Sequence, residues 1–321
     1  MNYIIFFLIF LLINFILFSL YKKVKIIDNS MKFNNAPTQT SGGLVFLINL
    51  LVGVIYFSFF SNEFKSLLPE SSLLKVFFLL ILFLFSIYDD IKPLDPKIKL
   101  FAQFFFIYFA SSLLKVHEIE LHYKLALFIC VFLWVYILNI TNFIDGSDGF
   151  LNTNMFFVFI SVIFINYNLE LNTLSKYIAL IILPCTIVFF FFNSPNAKIY
   201  LGDTGSTFYG IVNGFIFLEF CILKLYLIAI SLIIYPLLDC TLTLFKRVFN
   251  KKVPWVGEPD YYFSKAQLVN INNKNFIFKY NIIFNIINLI LIGLQIYLSY
   301  FFFIINIILT ISFLVIYSKK K

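Results

Sequence analysis

The residues of this chain best suited to chemistry are short carboxylates and amides placed at the ends of long apolar runs. Asp89 and Asp90 stand side by side in Tyr88-Asp89-Asp90-Ile91-Lys92-Pro93-Leu94-Asp95. The carbonyl end of a helix is the negative end of its dipole, so a carboxylate pair there costs energy unless a cation compensates. Asn142, Asp145 and Asp148 recur at intervals of three in Asn142-Phe143-Ile144-Asp145-Gly146-Ser147-Asp148-Gly149. In a helical turn that spacing puts all three on one face, and the glycines allow a tight turn or close approach of a ligand. The 12-residue ligand spacing of an EF-hand is absent. Asn193-Ser194-Pro195-Asn196-Ala197-Lys198 runs on into Gly202-Asp203-Thr204-Gly205-Ser206-Thr207. Glycine-rich backbone opening a helix suits an anion, although the Lys-Ser/Thr ending of a Walker A loop is missing. Upstream, Asp28-Asn29-Ser30 precedes Pro37-Thr38-Gln39-Thr40-Ser41-Gly42-Gly43, whose two glycines let backbones come close where a span begins.

Brought together, Asp89, Asp90, Asp145, Asp148 and Asp203 would repel, by about 4 kcal/mol per pair at 4 Å and an effective dielectric near 20. A divalent cation relieves that. With hard oxygen ligands and neither His nor Cys in these motifs, Mg²⁺ or Mn²⁺ is the expected metal. Carboxylates that hold such an ion beside lysines point to diphosphate chemistry. Lys92, Lys97, Lys99 and Lys198 are candidate phosphate binders, with snorkelling interface lysines as the plainer alternative. Arg247, the only arginine, is either a bidentate phosphate clamp or a topological charge. Asp239, within an apolar run beside Pro236, is an ionisable group inside the membrane and hence a functional candidate with no evident role.

The elements that must position these residues are membrane spans. The chain has 321 residues, 61% hydrophobic and 12% charged, with mean hydropathy +0.95. Soluble domains carry roughly twice that charge, so a soluble globular enzyme, a disordered chain and a fibrous chain are excluded. Apolar runs fall at 3–20, 44–60, 73–88, 100–114, 125–141, 150–166, 177–192, 207–222, 225–245, 276–294 and 297–317. The expectation is an all-α polytopic membrane protein of 10–11 transmembrane helices, forming one domain over residues 1–321 with its active-site loops cytoplasmic. Alternating the loops places 18 of the 24 Lys and Arg on one side, which makes that side cytoplasmic, the N-terminus outside and the C-terminus inside. Eight of the nine Asp fall in those same loops. Carboxylates contribute little to topology, so their segregation marks a site. The net charge of +8 thereby reads as membrane orientation, and no nucleic-acid partner is expected. The four cysteines sit singly in apolar runs, and His117 and His122 alone are too few for a metal site.

In their order and wording the motifs resemble those of the polyprenyl-phosphate N-acetylhexosamine-1-phosphate transferases, which include undecaprenyl-phosphate N-acetylglucosamine-1-phosphate transferases and phospho-N-acetylmuramoyl-pentapeptide transferase. The resemblance runs from residue 28 to residue 206. It implies transfer of a sugar-1-phosphate from a UDP-N-acetylhexosamine to undecaprenyl phosphate in the bacterial cytoplasmic membrane, with release of UMP. It further implies catalytic roles for Asp89, Asp90 and Asp203, with Asp89 as base or lipid-phosphate positioner. Asp203, Asp145 and Asp148 would hold the metal; Asn142, Asp145, Asp148, Asn193 and Gly202 would line the substrate site, for which the four lysines and Arg247 remain candidates on their own chemistry. A homodimer is the one self-association kept in view. One departure stands out. The last large cytoplasmic loop reads Val256-Gly257-Glu258-Pro259-Asp260-Tyr261-Tyr262-Phe263-Ser264-Lys265-Ala266, with Glu258 and Tyr261 where the family pattern has histidines. A weakly active or regulatory member, the muramoyl-pentapeptide transferase and, from another class, a secondary transporter are the alternatives.

Overall fold

The computed structural model describes residues 3–21, 27–28, 38–40, 42–68, 72–114, 122–252, 261–269 and 274–318. In chain order the helices are α1 (Tyr3–Tyr21), α2 (Gly43–Phe60), α3 (Asn62–Leu67), α4 (Ser72–Ile91), α5 (Pro96–Ala110), α6 (Tyr123–Phe143), α7 (Phe150–Asn168), α8 (Leu174–Asn193), α9 (Gly202–Ile222), α10 (Tyr226–Leu232), α11 (Ile234–Phe249), α12 (Tyr262–Val269), α13 (Lys274–Tyr297) and α14 (Phe301–Ser318). Between α1 and α2, Ile27–Asp28 pairs antiparallel with Thr38–Gln39. The chain is all-α and polytopic, and each expected apolar run is mostly helical.

Among the described residues α1, α2, α6, α7, α8, α9 and α13 are long and apolar enough to span a membrane, and α10 with α11 makes an eighth if that bent pair is one span. Outside this set, drawn from the described residues alone, lie α4, which carries Asp89 and Asp90 in its last turn, and α14, apolar over Phe301–Ile316. So does α5, whose 15 residues reach about 22 Å at 1.5 Å per residue, against ~30 Å of hydrocarbon. The run 225–245, expected as one helix, is broken and bent by 78° at Ile233. Pro236 explains the break: it has no N–H for the carbonyl of Leu232, four residues back, and its ring crowds that carbonyl.

The bundle is built around α9. Of its apolar window 78% is buried, against 22% for α1, which presents Ile4, Leu8, Leu12 and Ile16 outward. Gly210 and Gly214, one turn apart, let α6 close on α9. A Cβ at 210 would lie 2.9 Å from the Leu138 backbone, and one at 214 would strike the Trp134 indole. The indole N–H of Trp134 donates to the Ile211 carbonyl at 3.0 Å. Close packing through small residues holds helices together in lipid, where no hydrophobic force drives them together. Buried amides add cross-links. Asn14 donates to Asn49 at 2.8 Å, Asn49 to the Ile181 carbonyl at 2.7 Å, and Asn281 to the Phe150 carbonyl at 2.9 Å. These join α1, α2 and α8, and α13 to α7.

Candidate active site

The site forms where α4, α6 and α8 end and α5, α7 and α9 begin. Its frame is an exchange of caps. Helix α9 starts at Gly202, whose φ of 73° is left-handed and easy only for glycine. No side chain at its own N-cap position satisfies its first N–H groups. Asp90 does so from α4. Its carboxylate accepts from Asp203 N–H at 2.8 Å, from Thr204 N–H at 3.2 Å and from the Thr204 hydroxyl. A carboxylate misplaced at the negative end of α4 thus becomes well placed at the positive end of α9. Across the same junction Gly42 N–H donates to the Tyr200 carbonyl at 3.1 Å. A Cβ on Gly43 would run into the backbone of Thr204 and Gly205, so the glycines of the upstream motif do serve close approach.

Asp89 is compensated differently. Asp95 caps α5, accepting from Lys97 N–H at 2.7 Å with Pro96 in the first turn. One turn on, the Lys99 ammonium pairs with Asp89 and, at 3.2 Å, with Asp203. Asp89 also accepts from Leu94 N–H at 2.8 Å. Its side chain is 5% exposed and that of Asp203 42%. Burial and the neighbouring Asp203 carboxyl push Asp89 up to about 6, against the pull of Lys99 and the Leu94 N–H. Burial draws the Lys99 ammonium down, but the two carboxylates more than offset this and hold it above the usual lysine range. A lysine of this chain therefore supplies the positive charge that the aspartate pair demands.

The Asn142–Gly149 segment does not form the single helical face expected of it. Helix α6 ends at Phe143, and 145–149 is a turn, so Asn142 alone of the three is helical. Asn142 accepts from the Ser206 hydroxyl at 2.7 Å, tying α6 to the start of α9. Asp148 accepts from Asn196 N–H at 3.0 Å and Ala197 N–H at 3.3 Å. Asn193 accepts from Gly149 N–H at 3.1 Å and donates to the Ile199 carbonyl at 3.0 Å. Asp145 is half-buried beside this turn, its N–H donating to the Asn142 carbonyl at 3.1 Å. The Asn142–Gly149 segment is thereby stitched to the Asn193–Thr207 segment.

Other expected site residues stand apart. Lys92, Lys97 and Lys198 are exposed; among the described residues Lys99 is the one lysine ion-paired to the cluster. Arg247 is buried, its guanidinium 5.1 Å from the Tyr261 ring centre. Asp28's side chain, Pro37, Ser41 and Val256–Asp260, Glu258 included, lie outside the described residues. Sequence reading gave no partners for Thr204, Ser206 and Asp239. The one available signal was the lack of a capping side chain ahead of α9.

The fit to Mg²⁺ or Mn²⁺ is partial. Among the described residues no three of His, Cys, Asp and Glu gather as a ligand cage. Asp203, Asp145 and Asp148 thus do not form a ready-made set, because Asp148 is drawn into the 196–197 backbone. Mg²⁺, however, is usually held by one or two carboxylates together with substrate phosphates. Asp203, its side chain 42% exposed beside Lys99, is the carboxylate here that would meet that requirement.

Fold and site define a polytopic α-helical membrane protein with a lysine-bridged carboxylate centre at one set of helix ends. Residues 72–221, a little under half of the chain, match the family model described as glycosyl transferase family 4. That stretch holds Asp89, Asp90, Lys99, Asn142, Asp145, Asp148, Asn193 and Asp203, and the match is to the family whose motifs these segments resemble. Among curated relatives, the chain is 26% identical over 245 residues to the "Probable undecaprenyl-phosphate N-acetylglucosaminyl 1-phosphate transferase" of Bacillus subtilis (72% of this chain, 66% of the relative). It is 27% identical over 191 residues to a phospho-N-acetylmuramoyl-pentapeptide-transferase of Streptococcus pneumoniae (53% and 56%). A Leuconostoc citreum protein of the same name is 37% identical over 86 residues, 26% of this chain and 27% of the relative. The aligned region thus spans under two thirds of each of these relatives.

Proposed function

We propose that the chain transfers an N-acetylhexosamine-1-phosphate from a UDP-sugar to undecaprenyl phosphate and releases UMP. In this reaction an oxygen of the acceptor phosphate bonds to the β-phosphorus of the donor, and the bond from that phosphorus to the UMP oxygen breaks. The observation that carries the reading is the Asp89–Lys99–Asp203 cluster, set at the start of α9 by Asp90. Lys99 offers positive charge to phosphate, and Asp89 fixes and tunes that charge. The acceptor needs little deprotonation, since a phosphate monoester loses its second proton near pH 6; positioning and electrostatics then carry most of the work. Asp203, partly exposed, is the residue that would hold a Mg²⁺ or Mn²⁺ ion, which when bound would neutralise charge on the donor's phosphates. Asn142 and Asn193 fix the walls of the donor site.

The excess of Lys and Arg in the site-bearing loops supports a cytoplasmic site and an outside N-terminus in a bacterial cytoplasmic membrane. The test is UMP release by membranes given undecaprenyl phosphate, Mg²⁺ and a panel of UDP-N-acetylhexosamines. Because relatives bear the pentapeptide-transferase name, UDP-N-acetylmuramoyl-pentapeptide belongs in the panel. Release with one donor, stopped by EDTA and by Asp203→Asn, is the expected result. Folded protein that releases UMP from none of them overturns the reading.

A further inference from the structure

Asp239 lies on α11, 0% exposed, and no step described so far uses it. It accepts from Tyr262 N–H at 2.8 Å and from Phe263 N–H at 3.1 Å. It therefore caps α12 from 23 residues back in the chain, as Asp90 caps α9. A buried carboxylate is expensive unless its oxygens are satisfied. Two backbone donors at a helix N-terminus are the partners that make the position tenable.

What the cap holds down is specific. The Tyr261 ring stacks on Phe143 at 5.7 Å and 27°, and the Phe263 ring on Phe150 at 5.5 Å and 29°. Phe143 and Phe150 flank the Asn142–Gly149 turn on its two sides. A Cβ on Gly146, in the middle of that turn, would come within 2.8 Å of the Phe263 ring. Arg247, from the same helix as Asp239, backs the Tyr261 ring at 5.1 Å. The turn is thus clamped from one side by Ser206 and Asn193 and from the other by an aromatic pair whose backbone is pinned to Asp239.

We propose that Asp239 is a positioning residue: by pinning Tyr262 and Phe263 it sets the Tyr261–Phe263 aromatic pair against the Asn142–Gly149 turn and so fixes the shape of the donor site. The inference rests on the transferase reading. It assigns Asp239 to donor binding and not to the transfer step or to the lipid acceptor.

The test uses the full-length protein in nanodiscs with two variants. In Asp239→Asn one acceptor oxygen is replaced by an amide NH₂ facing a backbone donor. Hydrogen exchange at Tyr262 and Phe263 should accelerate at least tenfold, with exchange in α7 to α9 unchanged. In the UMP-release assay its KM for the UDP-sugar should rise at least tenfold, while kcat and the KM for undecaprenyl phosphate stay within threefold. Phe263→Ala leaves both bonds to Asp239 in place, removes the ring from the turn, and should raise the donor KM alike; it also serves if Asp239→Asn does not fold. Unchanged exchange in folded Asp239→Asn overturns the cap. Faster exchange with an unaltered donor KM, an unaltered donor KM in Phe263→Ala, or a loss confined to kcat overturns the positioning role. Wild-type protein that turns over no donor defeats the transferase reading itself, and the donor-site role falls with it, whereas the exchange result stands on its own.

Discussion

Lys99 is the middle member of a three-charge chain, and removing it leaves two carboxylates facing each other at the end of one helix and the start of another. Lys99→Met should lower kcat for UMP release by about 10²-fold or more, the scale seen when one preorganised electrostatic group is lost. Lys99→Arg should recover part of that activity. The same chain makes a pH prediction. Asp89 is pushed up to about 6 by burial and by Asp203, so it is charged above that pH and neutral below it. The Asp89–Lys99 ion pair accordingly exists above about pH 6 and is lost as pH falls through that value. Infrared difference spectra of the protein without acceptor phosphate should show a carboxylate protonating near pH 6, and Asp89→Asn should remove that band. Activity should fall over the same interval.

At the scale of elements the recurring device is a helix capped by an aspartate from elsewhere in the chain. Asp90 caps α9 and Asp239 caps α12. Asp90→Ala should destabilise the protein by about 1 kcal/mol, the usual worth of an N-cap, and speed hydrogen exchange at Asp203 and Thr204. Asp90→Asn, which keeps an acceptor, should cost less. The α2–α9 crossing depends on the absence of a side chain at Gly43. Gly43→Ala must push rigid backbone aside, so it should cost about 1–3 kcal/mol as overpacking does. A lowered thermal midpoint together with reduced UMP release would register this.

At the scale of the whole molecule topology turns on the α10–α11 pair, bent by 78°. If the pair crosses as one broken span, Tyr226 and Lys252 face opposite sides; if it re-enters, they share one. The proposed cytoplasmic placement of the basic loops predicts a crossing. In a cysteine-free background, cysteines at Lys198 and Lys252 should therefore label from the cytoplasmic side only, and one at Tyr226 from outside only. Labelling at 226 and 252 from the same side would refute this and invert the C-terminal third.

Much of this protein was legible in its sequence because the membrane permits few solutions. Backbone in lipid must satisfy its own hydrogen bonds, so apolar runs had to be helices, and charged motifs had to lie at their ends. The sequence also singled out the four site segments, and the dipole argument at Asp89-Asp90 demanded a compensating cation. What it could not supply was the partner of each group. Lys99 proved to face Asp89; Asp90 met a helix start 113 residues away; Asp148 turned to the 196–197 backbone. The break at Ile233 and the cap from Asp239 were equally hidden. Local pattern fixes the period and polarity of an element, whereas the pairing of its ends depends on which helices pack side by side. In this fold that was decided by small residues such as Gly43, Gly210 and Gly214, whose partners lie far off in the chain.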